Sequence, residues 1–306
     1  MKEQSGYVDL QVNGYAGVDF NSDGLTAERL HEACVALRRD GVESILATII
    51  TDDVDTMCDR LSAIVAGRLI SENAKQTIAG VHIEGPFLNR NPGYIGAHPQ
   101  SAARPADCGV MQQLLEAAGG LTKIVTLAPE CDAGFKTTRW LSEQGIAVAA
   151  GHSNATLDEL RGAIDAGLSM FTHLGNGCPA ELPRHDNIVQ RVLSLSDQIK
   201  ISFIADGAHV PLFALKNYLD LAGIENCIVV SDAISAAGLG PGRYTLGGQT
   251  IEVGDDLIPW SADQTHFVGS ATTMRRMEEN LLSIGLSREE TDFLLRVGPE
   301  TLLDIN

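Results

Sequence analysis

From Tyr7 onward the chain alternates short apolar runs with longer stretches whose apolar residues recur every three or four positions. The runs YVDLQV, ESILATII, IAGVHI, KIVTLA, AVAA, SMFT, KISFIA and CIVVS are eight predicted strands. Between them lie helical patterns, among them TAERLHEACVALRRDG (26–41), DVDTMCDRLSAIVAGRLI (53–70), TLDELRGAIDAG (156–167) and VPLFALKNYLDLAG (210–223). Gly41, Gly145, Gly167 and Gly223 stand where such helices should end. Strand–helix alternation implies a parallel sheet, and eight repeats imply a (β/α)8 barrel. The alternative is an open doubly wound sheet, which no GxGxxG or Walker motif supports.

One region breaks the rhythm. Residues 236–270 carry glycine-rich turns and two strand-like pieces, RYTL and QTIEV, which predict a β-hairpin excursion after the eighth strand. MRRMEENLLSIG and REETDFLLRVGPETLLDI then close the chain as helices. A single barrel domain over 1–306, with one excursion at about 236–270 and no second domain, fits this pattern.

Composition narrows the partners. With 306 residues and 44% hydrophobic content the chain can build a large core. A net charge of −18 and a pI near 4.7 repel nucleic acid and anionic membranes, so neither is expected as a partner. An anionic substrate would need a local basic residue. The six cysteines form no CxxC pair, and the start MKEQSGYVDLQVNG has no apolar segment of signal-peptide length. These features predict reduced thiols and a cytoplasmic protein.

Catalytic groups of such barrels sit at the C-terminal ends of strands. Here those ends carry Gln11 and Asn13, Glu84, His152, His173, Asp206 with His209, and Asp232. A lone histidine at a strand end is more often a hydrogen-bonded structural residue. Together these side chains converge on one mouth. Glu84, His152 and His173 make a two-histidine, one-carboxylate set of the kind that binds Zn²⁺ with an open position, and Fe²⁺ would also accept it. A metal acidifies its water, and Asp232 is free to carry the proton to a leaving group.

The ordered stretches VDLQVNG (8–14), HIEGPFLN (82–89), GAHP (96–99), TLAPE (126–130), AGHSNAT (150–156), THLGN (172–176), IADGAHV (204–210), VSDA (230–233) and GSATTM (269–274) resemble the amidohydrolase superfamily. More closely, they are similar to its N-acetylglucosamine-6-phosphate deacetylase family. The resemblance implies hydrolysis of the acetamide of that sugar phosphate to glucosamine-6-phosphate and acetate. It makes Glu84, His152 and His173 ligands of one divalent metal, zinc first, with iron, manganese or cobalt as substitutes. It makes Asp232 the general base and acid, and His209 the group that orients or polarises the scissile carbonyl. It places His98, Asn176 and Gly177 on the substrate. Gln11 and Asn13 stand where binuclear relatives have His-x-His, so one metal is expected, and both are further substrate-side candidates.

Two departures accompany the resemblance. The small β-sandwich that family members build from both chain ends is not expected here. The family's phosphate-binding arginine, which reaches a neighbouring subunit in a homodimer, falls at Arg184, in the altered context PRHDN. Two other functions stay open on this reading. One is an amide hydrolase acting on an unphosphorylated or different N-acyl sugar. The other is a non-catalytic sugar-binding barrel, against which Asp232 and the complete ligand set argue. Outside the main set, His82 is expected to be a hydrogen-bonded interior residue and His31 a surface one. His266 is expected to be structural, with a lid role open. Glu130 is expected to support the ligands or face the substrate, with a ligand role open in a binuclear variant.

Overall fold

The computed structural model describes residues 6–261, 264 and 266–303. All eight predicted runs are strands: β1 (Tyr7–Val12), β2 (Val42–Ile50), β3 (Ile78–Glu84), β4 (Thr122–Leu127), β5 (Ala147–Ala150), β6 (Leu168–Phe171), β7 (Lys200–Ile204) and β8 (Cys227–Val230). They pair in parallel in chain order. Each is followed by a helix: α1 (Ala27–Arg39), α2 (Val54–Ile70), α3 (Cys108–Ala117), α4 (Lys136–Glu143), α5 (Leu157–Asp165), α6 (Ile188–Leu193), α7 (Leu212–Ala222) and, after an excursion, α8 (Met274–Ser283). The fold is a (β/α)8 barrel.

The chemistry of the chain explains these boundaries. Strand residues are covered by helices outside and by one another inside, so all six residues of β1 are buried. Helix α1 buries Leu30, Ala33, Cys34, Ala36 and Leu37, the stripe that a 3.6-residue period lays on one face. Thr26, Asp53, Asp107 and Thr273 cap their helices with side-chain oxygens, and Thr156 with Glu159 forms a reciprocal capping box. Helix α7 starts at Leu212, later than the 210–223 pattern predicts, with Pro211 at its N-cap.

The excursion contains the predicted hairpin, Gly242–Leu246 paired antiparallel with Gln249–Val253. A third strand, Pro259–Ser261, joins it and was not legible in so short a segment. The closing helix is interrupted. Arg288–Asp292 leads into a π-turn at Phe293–Val297 before helix resumes at Gly298–Leu303. Pro299 has no N–H to return to the preceding turn, and the widened turn absorbs that loss. Asp304 and Ile305, which the sequence pattern includes in this helix, lie outside the described residues.

The barrel seam is closed mainly by side chains. The two edge strands, β1 and β8, meet at one backbone bridge, from Val12 at the end of β1 to Ala233 just past β8. There the N–H groups of Asn13 and Gly14 both donate to the Ala233 carbonyl, at 2.7 and 3.2 Å. Further down, the buried Asp9 carboxylate replaces the missing ladder. It accepts from the Ser231 backbone N–H at 3.0 Å and from the Ser231 hydroxyl.

Asp9→Ala would leave the buried backbone N–H of Ser231 without its acceptor and the Ser231 hydroxyl with only the Gln11 carbonyl, at 3.4 Å. The expected loss is about 2–3 kcal/mol of stability, read as a lower urea midpoint with an unchanged slope. A midpoint equal to that of the wild type would show that the backbone bridge alone holds the seam.

Candidate active site

Glu84 ends β3, and His152, His173 and Asp232 each stand two residues beyond the ends of β5, β6 and β8. Those last three share a backbone feature, positive φ values of 50°, 34° and 51°. For residues other than glycine this region costs about 1–3 kcal/mol each. The left-handed turn stops each strand at the rim. Close packing fixes the result around His152. A Cβ added to Gly177, itself at φ 60°, would lie 2.8 Å from His152 Nδ1. Only glycine lets that loop close over the ring.

Glu84 is the hub. Its Oε1 contacts His152 Nε2 at 3.2 Å and His173 Nε2 at 3.0 Å. Its Oε2 accepts from Gln11 Nε2 at 3.1 Å, and the same amide donates to Asp232 Oδ1 at 3.2 Å. Asn13 Nδ2 adds a 2.7 Å bond to Asp232 Oδ1. Gln11 and Asn13 thus spend their amides on the carboxylates. Asn13 also lines the cavity described below, whereas Gln11 does not. Burial raises the pKa of Asp232, and the charge on Glu84 raises it further, to about 6. Burial acts the same way on Glu84, but hydrogen bonds from His152 and His173 hold it well below the usual carboxylate range.

These donors fit a metal. His152 Nδ1 bonds the Tyr94 carbonyl at 2.8 Å, so Nδ1 carries a proton, and whenever the ring is neutral Nε2 turns a lone pair inward. That lone pair faces Glu84 Oε1 and, at 3.2 Å, His98 Nε2. Acceptors facing one another need a shared proton or a cation. Glu84, His98 and His152 each bring one ligand atom within 4.8 Å of the others, and His173 joins through Glu84. The site could therefore hold a divalent ion. Burial, followed by the neighbouring His152, pushes His98 down to about 3, so His98 is neutral.

Above this floor opens a cavity of about 710 Å³. His98, Asn176, Gly177 and His209 line it beside Glu84, His152, His173 and Asp232. The excursion supplies the opposite wall with Leu246, Trp260, His266 and Phe267. Phe267 meets the His209 ring edge-on at 5.2 Å and the Trp260 ring at 4.5 Å. Among the described residues no lysine or arginine lines the cavity. Arg184 is exposed on the 178–187 loop and is not among the lining residues.

The remaining polar candidates have defined places. His82 is buried and bonds Thr126 Oγ1 at 2.7 Å, in a barrel-interior chain that continues to Thr172. His31 is exposed. Glu130 ties two rim loops together, accepting from Asn89, Ser153 and the Asn154 N–H at 2.6–2.8 Å. Sequence reasoning missed three features: the Gln11 bridge, the aromatic wall, and the contact between Asp206 and His209. Only the last left a trace, because ADGAH places both residues after β7.

Fold and site together define an amidohydrolase-type barrel. No family model matches the chain. The N-acetylglucosamine-6-phosphate deacetylase of Lysinibacillus sphaericus is 31% identical over 279 residues, which are 91% of this chain and 70% of that protein. The N-acetylgalactosamine-6-phosphate deacetylase of Escherichia coli O157:H7 is 29% identical, over 98% of this chain and 78% of its own. A solved N-acetyl-D-glucosamine-6-phosphate deacetylase from Mycobacterium smegmatis, a mutant in complex with N-acetyl-D-glucosamine-6-phosphate, superposes with a TM-score of 0.86 at 28% identity. It covers 98% of this chain and 77% of the solved one. The chain belongs to the N-acetylglucosamine-6-phosphate deacetylase family.

Asp232→Asn keeps an acceptor for Gln11 and Asn13, tolerates the left-handed backbone and removes the repulsion with Glu84. Metal-free protein carrying it should melt at or above the wild-type temperature. A clear drop in Tm would mean that the charge on Asp232 supports the fold.

Proposed function

We propose that the protein hydrolyses the acetamide of N-acetylglucosamine-6-phosphate, giving glucosamine-6-phosphate and acetate, with one divalent metal ion, zinc first. The observation that carries this reading is the junction of Glu84, two imidazoles and Asp232 on one cavity floor, in a chain of this family. Glu84, His152 and His173 would hold the ion, and His98 lies against them. When bound, the ion supplies Lewis acidity, polarising the amide carbonyl and acidifying water.

The chain's own groups account for the proton traffic. Asp232 takes a proton from the attacking water as its oxygen bonds the acetyl carbon. It then gives that proton to the amide nitrogen as the C–N bond breaks, leaving acetate and the free amine. Asn13 and Gln11 hold the Asp232 carboxylate in place for both transfers. His209 faces the amide, while Asn176 and Gly177 contact the sugar. The barrel acts as one domain in the cytoplasm, a location that its six unpaired cysteines suit. No described helix is long and apolar enough to cross a membrane.

The cavity also favours a second reading. Among the described residues no lysine or arginine lines its wall, which suits an unphosphorylated N-acetyl sugar as well as a phosphorylated one. On the first reading Arg184 supplies the charge from the other subunit of a homodimer.

Two measurements test these statements. Purified protein should contain close to one divalent ion per chain, and His152→Ala or His173→Ala should lose it. Two tightly bound ions, or unchanged metal in both variants, would contradict the assignment.

Kinetics on N-acetylglucosamine with and without the 6-phosphate separates the two substrates. Arg184→Ala should lower kcat/KM for the phosphorylated sugar by about ten- to a hundredfold and spare the other, the size expected for a lost charge-assisted contact. A wild-type preference for the unphosphorylated sugar would select the second reading.

A further inference from the structure

After β7 the chain turns through Asp206, whose carboxylate makes four contacts and divides them between its two oxygens. Oδ1 accepts the backbone N–H groups of Ala208 and His209, at 2.9 and 3.0 Å, and so builds the loop. Oδ2 meets His209 Nδ1 at 2.6 Å and accepts from Ser270 Oγ at 3.2 Å. Both side chains are nearly sealed, with 4% of Asp206 and 5% of His209 exposed. Loop building alone would need only the first oxygen.

The second oxygen sets the chemistry of the ring. A carboxylate only accepts, so Nδ1 must carry a proton. In its neutral form the ring therefore keeps its lone pair on Nε2, and His209 lines the cavity. Phe267 packs edge-on against the imidazole and limits its rotation. Ser270 joins this arrangement to the proton carrier. Its hydroxyl holds Asp206, and its backbone N–H donates to the Asp232 carbonyl at 2.9 Å.

We propose that Asp206 is a positioning residue for the reaction: it fixes the tautomer and orientation of His209 so that Nε2 is presented to the substrate amide. This rests on the deacetylase reading, which places His209 at the amide. Fixing a catalytic imidazole through its second nitrogen is a general device, and replacing such a carboxylate by its amide leaves the geometry but reverses the tautomer.

Asp206→Asn is therefore the informative variant. Its Oδ1 still serves the loop, while its NH₂ faces Nδ1 and moves the ring proton to Nε2. The experiment compares Asp206→Asn, His209→Gln and the double variant on the N-acetyl sugar that the wild type hydrolyses. It also records ¹⁵N resonances of histidine side chains in wild type and Asp206→Asn.

Each single variant should lower kcat about a hundredfold or more with little change in KM. The double variant should be no slower than His209→Gln, because Asp206 acts only through the ring. The His209 resonances should report an Nδ1–H ring in wild type and an Nε2–H ring in Asp206→Asn. A wild-type kcat in Asp206→Asn, or losses that multiply in the double variant, would overturn the proposal. An unchanged kcat in His209→Gln would instead overturn the reading beneath it, and the proposal with it. If Asp206→Asn fails to fold, the wild-type spectrum decides: an Nε2–H neutral ring refutes the proposal and an Nδ1–H ring upholds it.

Discussion

Two carboxylates share one floor, Glu84 buried and Asp232 half-buried, and the rest of the site is arranged around keeping both there. Like charges out of water repel strongly, and each alone would tend to take up a proton. Glu84 stays ionised because two imidazoles meet one of its oxygens. Asp232 is pushed the other way by burial and by Glu84. The amide of Gln11 lies between them and donates to both, so neither carboxylate moves without disturbing the other. A histidine in that place could serve a second cation. Gln11 instead turns its N–H group to the two carboxylates.

That floor exists because the barrel is polar inside, just below it. Thr48 Oγ1 accepts the Val12 N–H, Thr51 Oγ1 donates to the Glu84 carbonyl, and His82 connects through Thr126 to Thr172. Buried polar groups of this kind are tolerable only when bonded, and their bonds fix the register of neighbouring strands. At the seam Asp9 acts in the same way on Ser231, one residue before Asp232. The stability of the barrel and the placement of Asp232 thus share a side chain.

The barrel was legible because its strands are buried on both faces and read as unbroken apolar runs, while its helices show one-sided stripes. The polar residues at strand ends were legible for the same reason: Glu84, His152, His173 and Asp232 interrupt or end those runs. Their backbone was not. Positive φ at two histidines and an aspartate follows from how the loops pack, and no local propensity announces it. Gln11 read as a stand-in for a metal ligand, and its bridging role depends on Asp232, 221 residues away. His98 read as a substrate contact, and its 3.2 Å approach to His152 depends on the 93–98 loop. Arg184 was placed by counting from His173, and counting cannot tell which way an exposed loop faces.

The excursion was legible as a hairpin, yet its function in the site comes from where it begins and ends. It leaves the barrel just after Asp232 and returns at Gly269 and Ser270. There the Ser270 N–H bonds the Asp232 carbonyl, and the Ile234 N–H bonds the Ser270 carbonyl. Gly269 makes that return possible. A Cβ there would sit 2.9 Å from the Asp232 carbonyl oxygen and 2.5 Å from the Ile234 side chain. Both ends are therefore pinned to the strand end that carries Asp232. Trp260 and Phe267 consequently stand in fixed register with Asp232, and Phe267 also touches His209. An insertion that left and rejoined the barrel at separate strands could shift its wall against the floor. This one cannot do so without moving Asp232, so the aromatic wall of the cavity and the Asp232 carboxylate on its floor form one mechanical unit.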